Sequence, residues 1–328
     1  MSETYVVVAV ALCIVYGFVI GQNDAANSFG PWIGAKIGKI RTGMILCAVF
    51  AIIGATLEGG KVIHTIGGGI VPAGYLTREV AVIGIIASVI WVFIASVLGL
   101  PISTTHAAVG SIGGIGAALI MFGRMPTADF NSGVIVNIVI CWFFTPLASM
   151  VLALGLSLLM HRAIQKYGGS LFVDRVSRYL LTVTSCYVAY CWGANDVANS
   201  VALLVGAKIM SVKEACMLGG CAIGLGAIIL GHRVAETVGF EITRLSPPMG
   251  VIADIATALT IHLFTRMGIP VSTTHALVGA VVGVGLARSV NIVNFKIVKE
   301  IVFAWAMTPV LTFILTFLVY IIFHFIAG

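Results

Sequence analysis

Two short motifs place carboxamide, carboxylate and hydroxyl side chains inside otherwise apolar stretches. The first, at residues 23–28, reads Asn-Asp-x-x-Asn-Ser, and it recurs at 195–200. In a helix, the aspartate and the second asparagine would share one face. If the helix broke at Gly21 or Gly193, the same side chains would cap a half-helix. Either arrangement offers the oxygen ligands that small hard cations prefer. The motif predicts a site for a small hard cation made of Asn23, Asp24, Asn27, Asn195, Asp196 and Asn199.

A structural role is the alternative for these polar groups, since amides and hydroxyls also join membrane helices to one another. That interpretation accounts for the asparagines and serines about as well as ion binding does. A carboxylate differs, because a charge in apolar surroundings is costly unless it is used. Asp24 and Asp196 occupy equivalent positions in the two copies, which favours a functional interpretation of both aspartates.

The second motif combines a proline with three hydroxyl side chains. Residues 101–106 read Pro-Ile-Ser-Thr-Thr-His, and residues 270–275 read Pro-Val-Ser-Thr-Thr-His. Proline disfavours helix in the residue before it, and a serine or threonine after it is a favourable N-cap. A helix N-terminus suits an oxyanion, and neighbouring hydroxyls add donors. The motif predicts an oxyanion site made of Ser103, Thr104, Thr105, Ser272, Thr273 and Thr274.

A plain capped helix would explain one of these hydroxyls, but not three in both copies. The histidine that closes each motif, His106 or His275, is interpreted as a packing residue hydrogen-bonded to a neighbour. Neither is predicted to act in catalysis or to bind a metal.

Charge links the two motifs. Neither contains lysine or arginine, while phosphate near neutral pH carries more than one negative charge. Such an anion beside Asp24 and Asp196 in low dielectric is unfavourable unless cations bind as well. A protonated phosphate can also share its proton with these carboxylates, which sulfate cannot do. The motifs predict joint binding of anion and cation, as in symport, with Asp24 and Asp196 next to both ions.

Repeated segments indicate that the chain consists of two related halves. The segments GQNDAANS at 21–28 and GANDVANS at 193–200 lie 172 positions apart, and the two proline motifs lie 169 apart. A Trp-x-x-Thr-Pro segment closes each half, at 142–146 and 305–309. Three markers in the same order indicate duplication. We predict a first membrane repeat at 1–165, a cytoplasmic linker at 166–178 and a second membrane repeat at 179–328.

Composition identifies the setting of these motifs. Of the 328 residues, 60% are apolar and 9% are charged, and the mean hydropathy is +1.12. The charges cluster between apolar runs long enough to cross the ~30 Å hydrocarbon layer of a bilayer. This composition predicts an all-α polytopic membrane protein. The net charge of +6 lies in turns rather than in a basic stripe with aromatics, so nucleic acid is not expected as a partner.

The polar stretch at 161–178 is rich in basic residues, which predicts a cytoplasmic position. Transporter repeats are commonly inverted, which requires an odd number of crossings in each half. Both termini would then lie outside the cytoplasm, and the N-terminal segment, which lacks a signal-peptide pattern, would be retained as the first span. The glycine-rich or polar stretches at 24–38, 59–73, 196–210 and 231–245 are left open between half-helices, re-entrant segments and further spans.

At these motifs the sequence resembles the inorganic phosphate transporter (PiT) family. The segment at 193–200 is similar to the family signature, the segment at 21–28 to its first-half counterpart, and both P-x-S-T-T-H segments match the family pattern. The resemblance covers essentially the whole chain. It implies two inverted-topology repeats with about 12 helical segments, including broken or re-entrant helices. It also implies a homodimer, extracytoplasmic termini, and one central site for phosphate and its coupling cations.

The resemblance also assigns roles and leaves choices open. Asp24 and Asp196 would serve the ion sites, the four asparagines would support them, and the six hydroxyls would bind phosphate. Sodium is the common coupling ion of the family, while other members use protons or metal–phosphate complexes. The two copies differ at Gln22, whose equivalent in the second copy is Ala194, and at Glu58, whose equivalent is Leu230. The function predicted is import of phosphate across the cell membrane by sodium-coupled symport with alternating access and no other cofactor.

The sequence leaves four alternatives open. The same fold could carry phosphate with protons, or carry sulfate. A passive anion channel would need a pore lined by positive charge or oriented dipoles, and the two aspartates oppose it. An enzyme would need a nucleophile–base pair or a metal cluster, and the sequence contains no recognisable pattern for either.

Overall fold

The computed structural model describes residues 2–98, 102–167, 170–241, 245–289 and 293–327, and these residues form helices and connecting turns. The helices of the first half are α1 (Ser2–Gly34), α2 (Ile40–Glu58), α3 (Gly60–His64), α4 (Arg78–Val97), α5 (Thr104–Met121) and α6 (Ser132–Tyr167). Those of the second half are α7 (Ser170–Gly206), α8 (Val212–Glu241), α9 (Pro247–Arg266), α10 (Thr273–Arg288) and α11 (Phe295–Ala327). A π-helical turn at Thr65–Gly69 follows α3.

Eight of the described helices are long and apolar enough to cross a membrane, which agrees with the all-α polytopic prediction. They are α1, α2, α4, α5, α6, α8, α9 and α11, and α10 is a shorter apolar helix. Helices α1, α6, α7 and α11 each contain 33 or more residues. At 1.5 Å per residue, such helices are about 50 Å long, which exceeds the ~30 Å thickness of the hydrocarbon layer.

The two halves have opposite orientations. Cys13 near the start of α1 donates to the carbonyl of Ser200 near the end of α7, at 2.9 Å. Trp32 near the end of α1 donates to Thr182 near the start of α7, also at 2.9 Å. The equivalent helices α1 and α7 are therefore antiparallel, as an inverted repeat requires.

Both ends of the chain lie on the same side of the molecule. The ring of Tyr5 in α1 packs on Phe323 in α11, with centroids 6.5 Å apart. Phe122, directly after α5, stacks on Tyr320 at 5.8 Å, so α6 starts on this side as well. Because α6 has 36 residues, it ends on the opposite side, at the junction between the halves. Residues 168–169 of the predicted linker lie outside the described residues, and residues 170–178 form the first turns of α7.

Each half contains one helical hairpin that enters and leaves on the same side. Tyr75 before α4 donates to Asp129 after α5, which places both ends of the α4–α5 pair on the terminal side. Arg288 at the end of α10 contacts the sulfur of Met249 at the start of α9, at 3.7 Å. The tips of these hairpins carry the hydroxyl residues of the two repeated motifs, from Ser103 and from Ser272 onward. The re-entrant elements are therefore α4–α5 and α9–α10, whereas the stretches at 24–38 and 196–210 mostly continue α1 and α7.

Two glycines allow the central helices to approach closely. A Cβ atom at Gly193 of α7 would lie 2.0 Å from the carbonyl oxygen of Ala51 in α2. A Cβ atom at the equivalent Gly21 of α1 would lie 2.0 Å from the carbonyl of Ile223 in α8. Neither glycine breaks its helix, so the half-helix alternative at these positions is wrong. Their missing side chains bring α1 and α7 against the opposite half.

Candidate functional site

The two motifs from both halves meet at the centre of the molecule. The Asn-Asp-x-x-Asn-Ser segments lie in the C-terminal halves of α1 and α7, and the hydroxyl motifs lie at the N-termini of α5 and α10. Asp24 and Asp196 are each only 1% exposed. Every side chain predicted for the anion and cation sites is buried: Asn23, Asn27, Asn195, Asn199, Ser103, Thr104, Thr105, Ser272, Thr273 and Thr274.

The serines cap helices as predicted. The hydroxyl of Ser103 accepts from the backbone N–H of His106 at 3.2 Å, and that of Ser272 accepts from His275 at 3.3 Å. These bonds satisfy one of the free N–H groups in the first turns of α5 and α10. Pro101 lies outside the described residues. The positive ends of both helix dipoles therefore point at the centre of the molecule.

The asparagines of each half bind the hydroxyls of the other half. The amide of Asn27 in α1 donates to Thr273 at 3.1 Å and to Thr274 at 2.9 Å, both in α10. The amide of Asn199 in α7 donates to Thr104 at 3.3 Å and Thr105 at 3.1 Å, both in α5. We call these four contacts the crossed bonds. They assemble one site from both repeats.

The aspartates accept hydrogen bonds from the threonines of the same site. Thr104 donates to the Oδ2 atom of Asp24 at 2.7 Å, and Thr273 donates to that of Asp196 at 3.3 Å. Asn27 also donates to Oδ1 of Asp24, at 3.2 Å. The second threonines bond to backbone carbonyls, Thr105 to Val271 and Thr274 to Ile102. The four threonine hydroxyls predicted to face an anion thus donate to acceptors of the protein in this conformation.

Unpaired acceptor atoms concentrate on the α7 side of the site. The Oδ1 atoms of Asn195, Asp196 and Asn199 are buried without a hydrogen-bond partner among the described residues, whereas Oδ1 of Asp24 is paired. Buried polar atoms are normally satisfied, so unpaired ones point to a missing partner. Three oxygen atoms with lone pairs suit a hard cation rather than an anion.

Several buried polar residues have no signal in the repeated motifs. Tyr16 donates to the carbonyl of Thr104 at 3.4 Å, and Asn23 donates to Ser96 at 3.1 Å. Asp254 in α9 is fully buried and accepts from Thr184 at 3.0 Å and from Ser185 at 2.7 Å. The 169-residue offset places Ile85 at the position equivalent to Asp254, so repetition could not identify this carboxylate. The only signal in the sequence that could have identified it is an acidic residue within an apolar helix.

The histidines behave as packing residues, as predicted. The Nδ1 atom of His106 lies 3.0 Å from the carbonyl of Trp305, and that of His275 lies 3.1 Å from the carbonyl of Trp142. Among the described residues, no group of three or more His, Cys, Asp or Glu side chains could hold a metal ion.

Known proteins with similar sequences and structures are phosphate transporters or are named as phosphate permeases. A profile of the phosphate transporter family matches residues 20–316. Two relatives are named putative phosphate permeases. The one from Chlamydia muridarum is 30% identical over 90% of this chain and 94% of its own length. The one from Pyrococcus furiosus is 29% identical over 94% of this chain and 93% of its own length. A solved structure described as the sodium-dependent phosphate transporter is 28% identical, covers 98% of this chain and 100% of its own, and superposes with a TM-score of 0.87. The chain belongs to the phosphate transporter family, and is thus a transporter and not an enzyme.

Proposed function

We propose that the protein imports inorganic phosphate across the cell membrane by sodium-coupled symport, with alternating access to the central site. Phosphate as the cargo follows from the family, and sodium is supported by the name of the solved relative. The proposal rests mainly on the site that the crossed bonds assemble. This site contains two carboxylates, and each lies next to hydroxyls at a helix N-terminus. Anion donors and cation acceptors lie within one buried volume.

The hydrogen bonds indicate how cation and anion binding are coupled. In this conformation Thr104 and Thr273 donate to Asp24 and Asp196, so their hydrogens are not directed at an anion. A sodium ion on Asp24 would displace the Thr104 hydroxyl from Oδ2, because both oxygens of Asp24 are already paired. The Thr104 hydroxyl would then turn its hydrogen toward phosphate. A sodium ion on Asp196 can use the unpaired Oδ1 atom and acts by neutralising that carboxylate. Cation binding therefore neutralises the aspartates and releases a donor on the Asp24 side, and each ion raises the affinity for the other.

The proposed residue roles are those that the motifs predict, and the contacts at the centre of the molecule support them. The phosphate ligands are Ser103, Thr104, Thr105, Ser272, Thr273 and Thr274, with Asp24 and Asp196 adjoining the anion. The sodium ligands are Asn23, Asp24, Asn27, Asn195, Asp196 and Asn199. The unpaired oxygens near Asp196 favour the α7 side as the tighter cation site, because the Asp24 side already has two internal donors.

The overall arrangement is also part of the proposal. The repeats are 1–165 and 179–328, and the linker at 166–178 faces the cytoplasm. Both chain ends lie on the same side, opposite the junction, and we assign that side to the exterior. A homodimer is expected from the family resemblance, and single-molecule mass measurement in nanodiscs tests it.

Uptake of labelled phosphate into proteoliposomes tests the proposal. An inward sodium gradient should drive accumulation above equilibrium, and an equal potassium gradient should not. Accumulation that is driven only by a proton gradient would identify protons, rather than sodium, as the coupling ion. Flux that follows phosphate down its own gradient and ignores both cations would indicate a channel. Stronger inhibition by sulfate than by unlabelled phosphate would contradict the choice of cargo.

A further inference from the structure

A cavity lies apart from the central site, between α6 and α11, the last helices of the two halves. Its volume is about 760 Å³, and Phe143 and Leu147 of α6 and Val302 and Val310 of α11 are among its lining residues. All four side chains are exposed at the surface of the chain. Phe143, Leu147 and Val310 lie in the interior of two long candidate spans, and Val302 lies about two turns from the start of the second. The cavity therefore opens at the depth of the bilayer acyl chains.

Two histidines line this cavity, together with the tryptophans that pack on them. His106 packs on Trp142 and His275 packs on Trp305, each at a centroid distance of 3.7 Å. The two imidazoles lie edge to face, 4.5 Å apart. Both histidines are only 3% exposed. The cavity therefore has an apolar body and a buried end made of aromatic rings with nitrogen atoms.

Hydrogen bonding determines what these nitrogens can offer. The Nδ1 atom of each histidine lies 3.0–3.1 Å from a backbone carbonyl, which can only accept. Nδ1 therefore carries the hydrogen, and Nε2 keeps a lone pair. Neither Nε2 atom has a partner among the described residues, and the same holds for the indole Nε1 of Trp305. Two buried acceptors and one buried donor thus remain unsatisfied beside an apolar cavity.

We propose that this cavity binds an uncharged lipid with a hydroxyl group, such as a long-chain alcohol or a monoacylglycerol. The hydroxyl donates to Nε2 of His106 or His275 and accepts from Nε1 of Trp305, and the hydrocarbon chain lies against the α6 and α11 side chains. A hydroxyl is the group that supplies a donor and an acceptor without charge. The site is separate from the phosphate site, although each histidine directly follows a threonine of that site.

Other occupants fit less well. The described residues that line the cavity include no lysine, arginine, aspartate or glutamate, so nothing would neutralise an anionic headgroup. A carboxylate would also meet two lone pairs. Two imidazole nitrogens could hold a soft metal ion, but the remaining lining is apolar or aromatic and supplies no further ligand. Wild-type protein with a stoichiometric bound metal that is lost in His275→Phe would overturn the lipid assignment.

Photolabelling of the full chain in phosphatidylcholine nanodiscs tests the proposal. The probe is oleyl alcohol with a diazirine in its chain, and the competitors are unlabelled oleyl alcohol and methyl oleate, which lacks the hydroxyl. We expect labelled peptides from α6 or α11, and about tenfold more effective competition by the alcohol, as expected for a hydrogen bond to a buried acceptor. Equal competition by methyl oleate would overturn the proposal, because it would indicate only general contact with lipid.

Two variants separate this cavity from the rest of the surface. Val302→Trp fills the cavity and should abolish the competable labelling, while Val151→Trp replaces an exposed valine of α6 outside the cavity and should leave it unchanged. If Val302→Trp does not fold, Leu147→Trp fills the same space. Labelling that survives the filling variant contradicts the proposal. So does labelling that is absent from dimers and present only in monomers, since the cavity would then be a contact between two copies.

Discussion

Asp24 and Asp196 occupy equivalent positions in the repeat but have different surroundings. Asp24 accepts from Thr104 and Asn27, so each of its oxygens has a donor. Asp196 accepts from Thr273, and its Oδ1 atom has no partner among the described residues. A carboxylate with a free oxygen binds a cation without first losing a hydrogen bond. The two aspartates are therefore expected to contribute unequally to sodium binding.

Replacement of either carboxylate by its neutral isostere tests this expectation. Asp196→Asn should raise the sodium concentration for half-maximal uptake by about tenfold or more, because a charged ligand is lost. Asp24→Asn should have the smaller effect. Sodium-dependent phosphate uptake in proteoliposomes measures both. Asp174→Asn, which changes an exposed carboxylate at the start of α7, is the control, and uptake by Asp196→Asn equal to that of the control would remove Asp196 from the cation site.

The motifs made much of this site predictable, because polar residues within apolar helices are rare and these were repeated. The crossed bonds were not predictable in detail. Asn27 lies 246 residues from its partner Thr273, and no local pattern encodes that pairing. Asp254 was missed because its equivalent, Ile85, is apolar.

The elements that hold the site depend on close helix packing. Gly193 lies where α7 crosses α2, and a side chain there would meet a backbone carbonyl at 2.0 Å. A carbonyl cannot rotate away as a flexible side chain can. The helices themselves must then separate, which would displace Asp196 three positions further along α7.

Gly193→Ala should accordingly destabilise the protein by about 1–3 kcal/mol or more, the usual cost of overpacking. Gly155→Ala is a matched control, since a Cβ atom at that position in α6 meets nothing within 4 Å. It should be neutral or stabilise by up to about 1 kcal/mol through helix propensity. Thermal unfolding in detergent compares the two. Similar midpoints for both variants would show that the α2–α7 crossing adapts to a methyl group.

Glu58 connects the two halves at the far ends of α2 and α9. Its carboxylate lies 3.0 Å from Nε2 of His262 and 3.2 Å from Arg266, and His262 contacts Tyr187 of α7 at 2.6 Å. Glu58 departs from the repeat, since Leu230 is its equivalent. This cluster, together with Lys61, which donates to the carbonyl of Arg266, fixes the end of α9 before the second hydroxyl motif.

A double-mutant cycle of Glu58→Gln and Arg266→Gln measures this connection. We expect a coupling energy of no more than about 1 kcal/mol, because the arginine side chain is 61% exposed and such pairs are weak. The Asp174–Arg178 pair, with an N–O distance of 3.8 Å and both side chains about half exposed, should give nearly none. Equal coupling in the two cycles would mean that Glu58 adds no specific link between the halves.

The sequence alone could not distinguish full membrane spans from re-entrant hairpins in this chain. Helix α4 has 20 residues and α5 has 18, and each is long enough to cross a bilayer by itself. Length and hydropathy therefore cannot tell a hairpin from two spans. Of the four stretches left open, those at 24–38 and 196–210 carry polar motifs, yet they mostly continue α1 and α7. Their asparagines and aspartates bond to other side chains rather than to their own backbone.

At the scale of the whole molecule, the orientation can be tested with single cysteines in a background without the native ones. Glu3→Cys lies on the side of the termini, and Arg162→Cys lies near the junction at the opposite end of α6. A membrane-impermeant maleimide added to intact cells should label Glu3→Cys and not Arg162→Cys. Cells opened before labelling should give both signals. The reverse pattern would place the junction outside the cytoplasm.

The crossed bonds also bear on how such a chain could have originated. Because Asn27 completes the second hydroxyl motif and Asn199 completes the first, one repeat alone contains only half of each set of contacts. A gene that encoded a single repeat would yield a complete site only if its product inserted in both directions and paired head to tail. Fusion of two such genes would then have freed the copies to diverge, and the unequal surroundings of Asp24 and Asp196 are the kind of specialisation that an identical pair could not acquire.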